Sequence, residues 1–439
     1  MKQAIFLILL TLTSCKKFLD VQPRDAVSDE ETIIDKTSAQ TAVRGLYRAL
    51  GSDNYYGSLF QTFGYLSGDN IQWTGSQAVI QQFISHAVTA DNANVATVWS
   101  GIYVTINRAN QIIDKIPALA DSSFSTADRN ALLGEAYFVR GLSYFDLART
   151  WGGVQLVLKP TVTINDTKGI RRSTLAETYA QVFSDLQTSA TLLAETTNRY
   201  RATRKTAWAL LSRYYLYQQK WDSAIFYSTR LIDDATNYKL LKPYSAFFAN
   251  NALATAESIF EISYSATNTN GHRNYWQPPA NGGTRQWAPN DALVSLLNAG
   301  GNRNTAIAVT NQGLWYGNFY YRSPATDPAY ILRIAEQYLI RAEARAQRNE
   351  LEGALADLNA VRDRAGLTAS TVTTQSEILL AIENERRLEF AFEPHRWYDL
   401  VRTGRAATVL GVTDEKRYLL PIPIAEINAD ASLEQNPGY

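Results

Sequence analysis

Apolar residues recur at helical spacing in several long segments of the chain. Between residues 95 and 116 they fall every three or four positions, and Pro117 ends the run. A second run covers residues 125–151. It begins with Ser and Thr, either of which can cap a helix, and it stops at Gly152-Gly153. The two segments are therefore predicted to pack as an antiparallel pair of helices.

Two further pairs show the same spacing, at residues 173–196 with 202–219 and at 328–347 with 351–365. Several pairs also carry a tetratricopeptide-like order of large and small residues, in which the small residue lets the partner helix approach closely. We predict a mostly α fold whose helical hairpins form one right-handed arc with long irregular loop insertions. The most complete example of the order is Trp208, Leu211, Ser212, Tyr215 and Ala224.

The largest irregular segment is the insertion at residues 263–327. It is rich in Asn, Gly, Thr and Pro, and only residues 292–298 within it are predicted to form a short helix. A loop of this length is uncommon without a function. A second irregular stretch, at residues 51–85, is rich in Tyr and Phe. We therefore look for ligand-binding residues in these two segments.

Aromatic rings stand beside amide and charged side chains in both irregular segments. A flat ring can cover the apolar side of a sugar, while amide, guanidinium and carboxylate groups hydrogen-bond its hydroxyls. Trp287 and Trp315 are flanked by small and polar residues, so we expect them to be the most exposed rings. The alternative is that the aromatic residues only pack the loops onto the helices. The candidate ligand-binding residues are Trp73, Asp69, Asn70, Trp276, Trp287, Arg285, Trp315 and Tyr316.

The N-terminus has the pattern of a lipoprotein signal. Lys2 precedes an uncharged apolar run at residues 4–12, which is much shorter than the roughly 20 residues that cross a bilayer. Small residues then precede Cys15, the only cysteine of the chain. We predict that residues 1–14 are a signal peptide and that Cys15 carries a lipid anchor.

Composition narrows the class of ligand. The chain has 42 basic and 42 acidic residues, so no charge excess indicates nucleic-acid binding. Nine Trp and 25 Tyr at low net charge suit a carbohydrate or peptide binder. Because no Pro-, Ser- or Gly-rich linker divides the chain, residues 15–439 are predicted to form one unit.

Catalytic and metal-binding motifs are missing from the sequence. His86, His272 and His395 are far apart and lack metal-ligand spacing, and no nucleophile elbow or phosphate-binding loop is present. Acidic pairs such as Glu385 and Glu389 lie among arginines, which favours structural ion pairs over acid–base catalysis. Calcium in the Asn-rich loops stays open as an alternative without a ligand motif. We therefore predict a protein without enzymatic activity or cofactor.

The C-terminal fifth carries the most specific motifs: ERRLEF at residues 385–390, EPHRWYDLVR at 393–402 and QNPGY at 435–439. Pro394 is expected to force Glu393 out of the helical conformation, so that a helix at 376–392 is followed by a shorter one at 395–403. The alternating charges of this elbow are predicted to interlock as structural pairs of arginine and carboxylate.

Together with the FLDVQP opening at residues 18–23 and an Arg-Gly helix at 137–144, these motifs resemble the SusD/RagB family of outer-membrane nutrient-binding lipoproteins. Family members usually carry Gly where Pro394 stands here. The resemblance implies a SusD-like fold with four tetratricopeptide-like units. Its N-terminal portion would cover residues 15–235, and its C-terminal portion, with the ligand-loop insertion, residues 236–439.

The resemblance also implies a function. The protein would be anchored by lipid at the cell surface in the outer membrane, and would bind oligosaccharide or polysaccharide nutrients and deliver them to a SusC-like TonB-dependent transporter. The sugar contacts of the family vary among its members, so none is transferred to this chain. Two alternatives stay open: the ligand is a peptide, or the chain is a tetratricopeptide-type scaffold or lid whose only ligand is the transporter.

Overall fold

The computed structural model describes residues 32–163 and 165–439. The predicted signal peptide and Cys15 lie outside these residues. Short strands accompany long helices, and the predicted mostly α class is confirmed. In the described part of the chain, the helices are too short or too polar to span a membrane. The α-helices are α1 (Lys36–Leu50), α2 (Leu59–Leu66), α3 (Ala78–Ile84), α4 (Ala93–Lys115), α5 (Thr126–Trp151), α6 (Leu175–Leu192), α7 (Arg204–Tyr217), α8 (Trp221–Ile232), α9 (His272–Trp276), α10 (Asp291–Ala299), α11 (Ile334–Gln347), α12 (Leu351–Arg364), α13 (Gln375–Glu389), α14 (Arg396–Arg402), α15 (Ala406–Leu410) and α16 (Ile424–Ala429).

Helices α4 and α5 form where the periodic pattern predicted them. Asn92 caps α4 by accepting hydrogen bonds from the amides of the first turn, and Ser125 caps α5 by accepting one from the amide of Asp128. At its other end α5 stops at Gly152, whose φ of 81° suits a residue without a Cβ. Local capping chemistry therefore sets both ends of the longest helix.

Neighbouring helices pack in sequence to form the scaffold. Helix α5 packs on α4 and α6, α7 packs on α8, and α11 packs on both α8 and α12. The predicted pairing of residues 173–196 with 202–219 is not the main contact of either helix. In the structure α6 packs chiefly on α5, and α7 packs chiefly on α8. This arrangement is consistent with the expected tetratricopeptide-like pairs.

The six strands of the described chain form three two-stranded antiparallel ladders. The central ladder joins β2 and β6 and is buried along its whole length. Its second strand was missed, because residues 329–333 were predicted to begin a helix that in fact starts at Ile334. A short, mostly apolar run fits either structure, and pairing with a distant strand decides between them. The strands are β1 (Ile71–Trp73), β2 (Ser258–Ile262), β3 (Trp287–Pro289), β4 (Ile307–Val309), β5 (Trp315–Gly317) and β6 (Ala329–Arg333).

A buried ion cluster joins the C-terminal motif to the rest of the fold. Glu389, at the end of α13, accepts hydrogen bonds from Arg303, Arg333 and Arg364, all of which have less than 2% of their surface exposed. Arg333 and Arg364 also pair with Glu257 at 3.0 Å. Burial alone opposes the ionisation of Glu389, but the three arginines outweigh it and lower the pKa of its carboxyl to about 2.

The ion pairs of the elbow, residues 385–402, differ in part from the prediction. Within it, Arg386 and Arg402 both donate to Asp399, as expected. Glu385 and Glu393 instead pair with arginines from outside the elbow, Arg303 and Arg333. The expected interlocking within the motif is therefore only partly right, and the elbow serves as a junction for distant segments.

Pro394 fits against the second helix. A Cβ placed on Gly64, in α2, would lie 2.6 Å from the Cβ of Pro394, so the two segments touch backbone to ring. The chain turns between α13 and α14, and the first of these helices ends at Glu389 rather than near residue 392. The chain has Pro394 where family members usually carry glycine, and the proline ring fits because the facing residue of α2, Gly64, has no side chain.

Replacement of Glu389 by Gln tests the ion cluster. The variant removes the one carboxylate that accepts from all three buried arginines, so its free energy of unfolding at pH 7 should fall by about 3–5 kcal/mol. The pKa of Glu389 is lowered in the folded state, so its contribution is present above its ordinary value of 4.5 and is lost as the pH falls towards 2. Urea unfolding between pH 7 and pH 3 measures both effects.

The matched control is Glu195→Gln, at an exposed glutamate with no ion-pair partner among the described residues. It should leave the stability and its pH dependence as in the unmodified protein. Between pH 5 and pH 3 the Glu389→Gln variant should lose less stability than the unmodified protein. Equal slopes for the two would contradict the ionised state assigned to Glu389.

Candidate functional site

The inner part of the 263–327 insertion is an aromatic base packed into the fold. Trp276 and Trp287 are 0% exposed, and their rings meet edge to face at 5.5 Å. Both also contact the ring of Tyr65 on α2 at 5.3 Å, and Trp276 contacts Phe392 in the elbow. The expected exposure of Trp287 is therefore wrong. Trp287 and Trp276 anchor the insertion on the helices, which agrees with the alternative that aromatic residues pack the loops onto the helices.

Two of the strand ladders carry further aromatic residues, Trp73 and Trp315, near these buried tryptophans. Strand β1 pairs with β3, with Trp73 directly opposite Trp287. Residues directly opposite in an antiparallel pair project to the same side. The half-buried ring of Tyr275 stacks on Trp287 at 4.4 Å, with 24° between the ring planes. Trp73 and Tyr275 are therefore partly exposed rings that flank one buried tryptophan.

Trp315 reaches the same region from the second ladder. Its strand β5 pairs with β4, and its carbonyl accepts a hydrogen bond of 2.8 Å from Nε of Arg285. The carbonyl of Arg285 in turn accepts from the hydroxyl of Thr74, next to Trp73. Trp315 is half-buried and packs against the core. Arg285 therefore joins the two ladders, and we call Trp73, Tyr275, Trp315 and Arg285 the aromatic surface.

Tyr316 does not share the orientation of Trp315. Neighbouring residues of a strand point to opposite sides. Gly317, on the same side as Trp315, lies so close to Trp276 and Phe392 that a Cβ would be 2.6 Å from the first ring. Tyr316 is half-buried on the other side of β5. The structure therefore separates the predicted pair Trp315 and Tyr316.

Asp69 and Asn70 face the C-terminal motif rather than a ligand. The carboxylate of Asp69 pairs with Arg387 at 3.0 Å and with Arg396 at 2.7 Å. Asn70 is 3% exposed and accepts from Nε of Arg387 at 2.8 Å. Because both residues immediately precede β1, these contacts fix the strand that carries Trp73. We assign them a positioning role in place of the predicted ligand contact.

Polar groups of the aromatic surface keep unused hydrogen-bonding capacity. Arg285 uses only its Nε, and its two terminal nitrogens have no partner in the described part of the chain. The indole N–H of Trp73 also has none, but this atom is buried and so is not open to a ligand. Burial lowers the pKa of Arg285, but a guanidinium stays charged at neutral pH. A ligand hydroxyl could therefore accept from Arg285 beside the rings.

Tyr275 was absent from the residues chosen from the sequence. It precedes Trp276 in the short helix α9, and adjacent helical positions point about 100° apart, so one ring is buried while the next is partly exposed. The adjacent Tyr and Trp in the sequence were the signal that could have identified Tyr275 as an exposed ring. The sequence does not show that Trp287 lies beside it, and Trp287 supplies the surface on which Tyr275 stacks.

Acidic and histidine side chains considered for catalysis or metal binding, such as Glu343, Asp357 and His272, are engaged in structural contacts. Glu343 accepts a bidentate pair from Arg402, and Asp357 pairs with Arg341. His272 is fully buried with Nε2 3.0 Å from the carbonyl of Tyr56, and burial lowers the pKa of its ring to about 4. No cluster of three or more His, Cys, Asp or Glu side chains suited to a metal occurs among residues 32–163 and 165–439.

Two family models match the chain. One, described as starch-binding and associating with the outer membrane, matches residues 17–216, and the SusD family model matches residues 292–413. The chain belongs to the SusD/RagB family. The predicted resemblance is thus confirmed, with the second match covering the C-terminal motif from which it was drawn.

Relatives of known structure share the complete SusD fold. A laminarin binding SusD-like protein superposes with a TM-score of 0.83 and is 25% identical, covering 93% of this chain and 100% of its own. A SusD superfamily protein from Bacteroides thetaiotaomicron gives a TM-score of 0.81 at 25% identity, with coverage of 92% and 100%.

Two curated relatives extend the comparison of sequences. A SusD-like protein of Formosa agariphila is 25% identical over 99% of this chain and 98% of its own length. The starch-binding protein SusD of Bacteroides thetaiotaomicron is 33% identical over 121 residues, which are 25% of this chain and 21% of that protein. The likeness to the relative from Formosa therefore spans nearly the whole length of both chains.

Replacement of Trp287 by Ala tests its structural role in this SusD/RagB protein. Loss of a fully buried Trp should lower the free energy of unfolding by about 3–5 kcal/mol. Trp315→Ala, at a half-buried ring, should cost less than half as much. Urea unfolding followed by far-UV circular dichroism measures both variants. Equal stability losses would contradict the division into a buried base and an exposed surface.

Proposed function

We propose that this protein binds glycans at the cell surface through the aromatic surface formed by Trp73, Tyr275, Trp315 and Arg285. The observation that carries the proposal is the partly exposed ring of Tyr275 stacked on buried Trp287, with the partly exposed Trp73 opposite Trp287 across the β1–β3 ladder. A ring that packs against a buried side chain on one face loses little conformational freedom when a ligand stacks on its other face. The free guanidinium nitrogens of Arg285 supply hydrogen bonds for hydroxyl groups beside the rings.

The shape of the surface favours a chain-like ligand. Trp73 and Trp315 lie on two separate ladders joined by Arg285, and Tyr275 lies on α9, so the rings offer several stacking positions instead of one closed pocket. Consecutive sugar units can each place an apolar side on a ring. Relatives named for binding laminarin and starch support a neutral glucan as the ligand class.

The proposal includes the cellular role. Cys15, as a lipidated residue, anchors the chain in the outer membrane, and the bound glycan passes to a SusC-like TonB-dependent transporter. The family model described as associating with the outer membrane supports this location. Affinity in the roughly micromolar to millimolar range is sufficient, because a protein held beside its transporter raises the local concentration of ligand.

Isothermal titration against laminarin, amylose and a mixed peptide library tests the ligand class. We expect saturable binding to at least one glucan and none to the peptides. Trp73→Ala, Tyr275→Ala and Trp315→Ala should each weaken that binding at least about tenfold, because each removes an aromatic contact worth about 1.5–3 kcal/mol.

The matched control is Trp221→Ala, at a half-buried Trp that begins α8 and packs against a separate part of the core. It should leave glucan affinity unchanged. Binding to peptides alone would favour the peptide alternative. If no glucan or peptide binds but the transporter still co-purifies, the result would favour the alternative of a scaffold or lid whose only ligand is the transporter.

A further inference from the structure

A cavity separate from the aromatic surface lies between α11, α13 and α14. Its volume is about 400 Å³, within the range of about 300–1,000 Å³ usual for small-molecule sites. Leu379 and Leu380 of α13 form an apolar part of its wall, and Leu380 is 48% exposed. The remaining wall is strongly charged, with five arginines and three carboxylates.

Arginine is in excess around this cavity. The lining carboxylates are Glu343, Glu383 and Asp399, and Asp69 behind the wall pairs with two of the five arginines. Each of the five arginines pairs with at least one of these four carboxylates, but five positive charges meet only four negative ones, so the wall carries a net excess of one positive charge. A bound monoanion would neutralise it.

Several guanidinium donors around the cavity are unused. Arg405 gives only its Nε to Glu383, at 2.9 Å, and both of its terminal nitrogens have no partner in the described residues. Arg386 is 4% exposed, donates Nε and Nη2 to Asp399, and leaves its Nη1 without a hydrogen bond. Nitrogens of Arg303 and Arg364 in the interior cluster also lack a hydrogen bond, so Nη1 of Arg386 does not by itself indicate a ligand. The terminal nitrogens of Arg405, whose side chain is partly exposed, are the donors that an acceptor in the cavity can reach.

We propose that this cavity binds a monocarboxylate whose body is a six-membered ring or a similarly compact apolar group. The carboxylate accepts from the free donors of the arginine wall, and the body lies against Leu379 and Leu380. A carboxylate offers acceptor positions to several N–H groups at once, and guanidinium groups match its planar shape. The apolar part of the wall disfavours a small, fully hydrated inorganic ion.

Titration with three compounds of similar size tests the chemistry: glucuronate, its neutral counterpart glucose, and cyclohexanecarboxylate. Binding of both acids, with no binding of glucose, supports a carboxylate site open to free organic acids. Binding of glucuronate alone supports the site and identifies an acidic saccharide as the source. Glucose binding as tightly as glucuronate, or no binding of either acid, would overturn the proposal.

Two variants locate the binding. Arg405→Gln removes a half-exposed charge that makes a single hydrogen bond within the protein, and it should weaken glucuronate about tenfold or more. Leu380→Glu adds a negative charge at an exposed position of the wall and should weaken it by a similar factor. Because Leu380 is exposed, folding of the second variant does not depend on the arginine network.

Arg348→Gln is the matched control, since Arg348 is also an exposed arginine, and its carboxylate partners, Asp222 and Glu350, lie outside the cavity lining. Glucuronate affinity should be unchanged in this variant. It should also be unchanged in Trp315→Ala, so the outcome is independent of glycan binding at the aromatic surface. Equal weakening in Arg348→Gln would show a general charge effect and overturn the site.

Discussion

The buried charges around Glu389 are the constraint on which the C-terminal half depends. Three arginines reach this one carboxylate from separate segments: Arg303 from the long insertion, Arg333 from the end of β6, and Arg364 from the end of α12. Moving such groups out of water is costly, and the cost is offset only when every partner is in place. A mispacked insertion would leave a buried charge alone. The cluster thus acts chiefly by excluding alternative arrangements, so it fixes the insertion relative to the helices.

From this cluster, contacts lead outward to the aromatic surface. The elbow after Glu389 places Phe392 against Trp276, and the hydroxyl of Tyr65 donates to the carbonyl of Phe392 at 2.7 Å. Arg387 holds the residues that precede β1 and hence the position of Trp73. The motif that is most specific in the sequence is therefore remote from the proposed glycan contacts but determines their geometry. Its side chains position a surface that other segments supply.

Local signals in the sequence were sufficient for long helices such as α4 and α5 and insufficient for the loops. Caps and breakers such as Ser125 and Gly152 act within a few residues, so the bounds of α5 could be predicted closely. Trp287 has the polar and small neighbours expected of an exposed ring, yet it is covered by residues from α2 and α9. Likewise, nothing near Arg303 in the sequence indicates its partner Glu389. Burial of a loop side chain is decided by segments far away in sequence, and a single sequence carries no direct record of those contacts.

The balance of charge changes with distance from the interior, and this change separates structural arginines from those available to a ligand. In the interior, Arg303, Arg333 and Arg364 are surrounded by carboxylates that accept from each of them, so no net positive charge remains there. Along α13 and α14 the arginines become more exposed and outnumber their acidic partners, and Arg405 keeps two nitrogens unused. A structural ion network has no need of this surplus, because an extra solvated arginine adds little stability. The surplus is instead what a site for a small anion requires, and it lies where solvent can deliver the ligand.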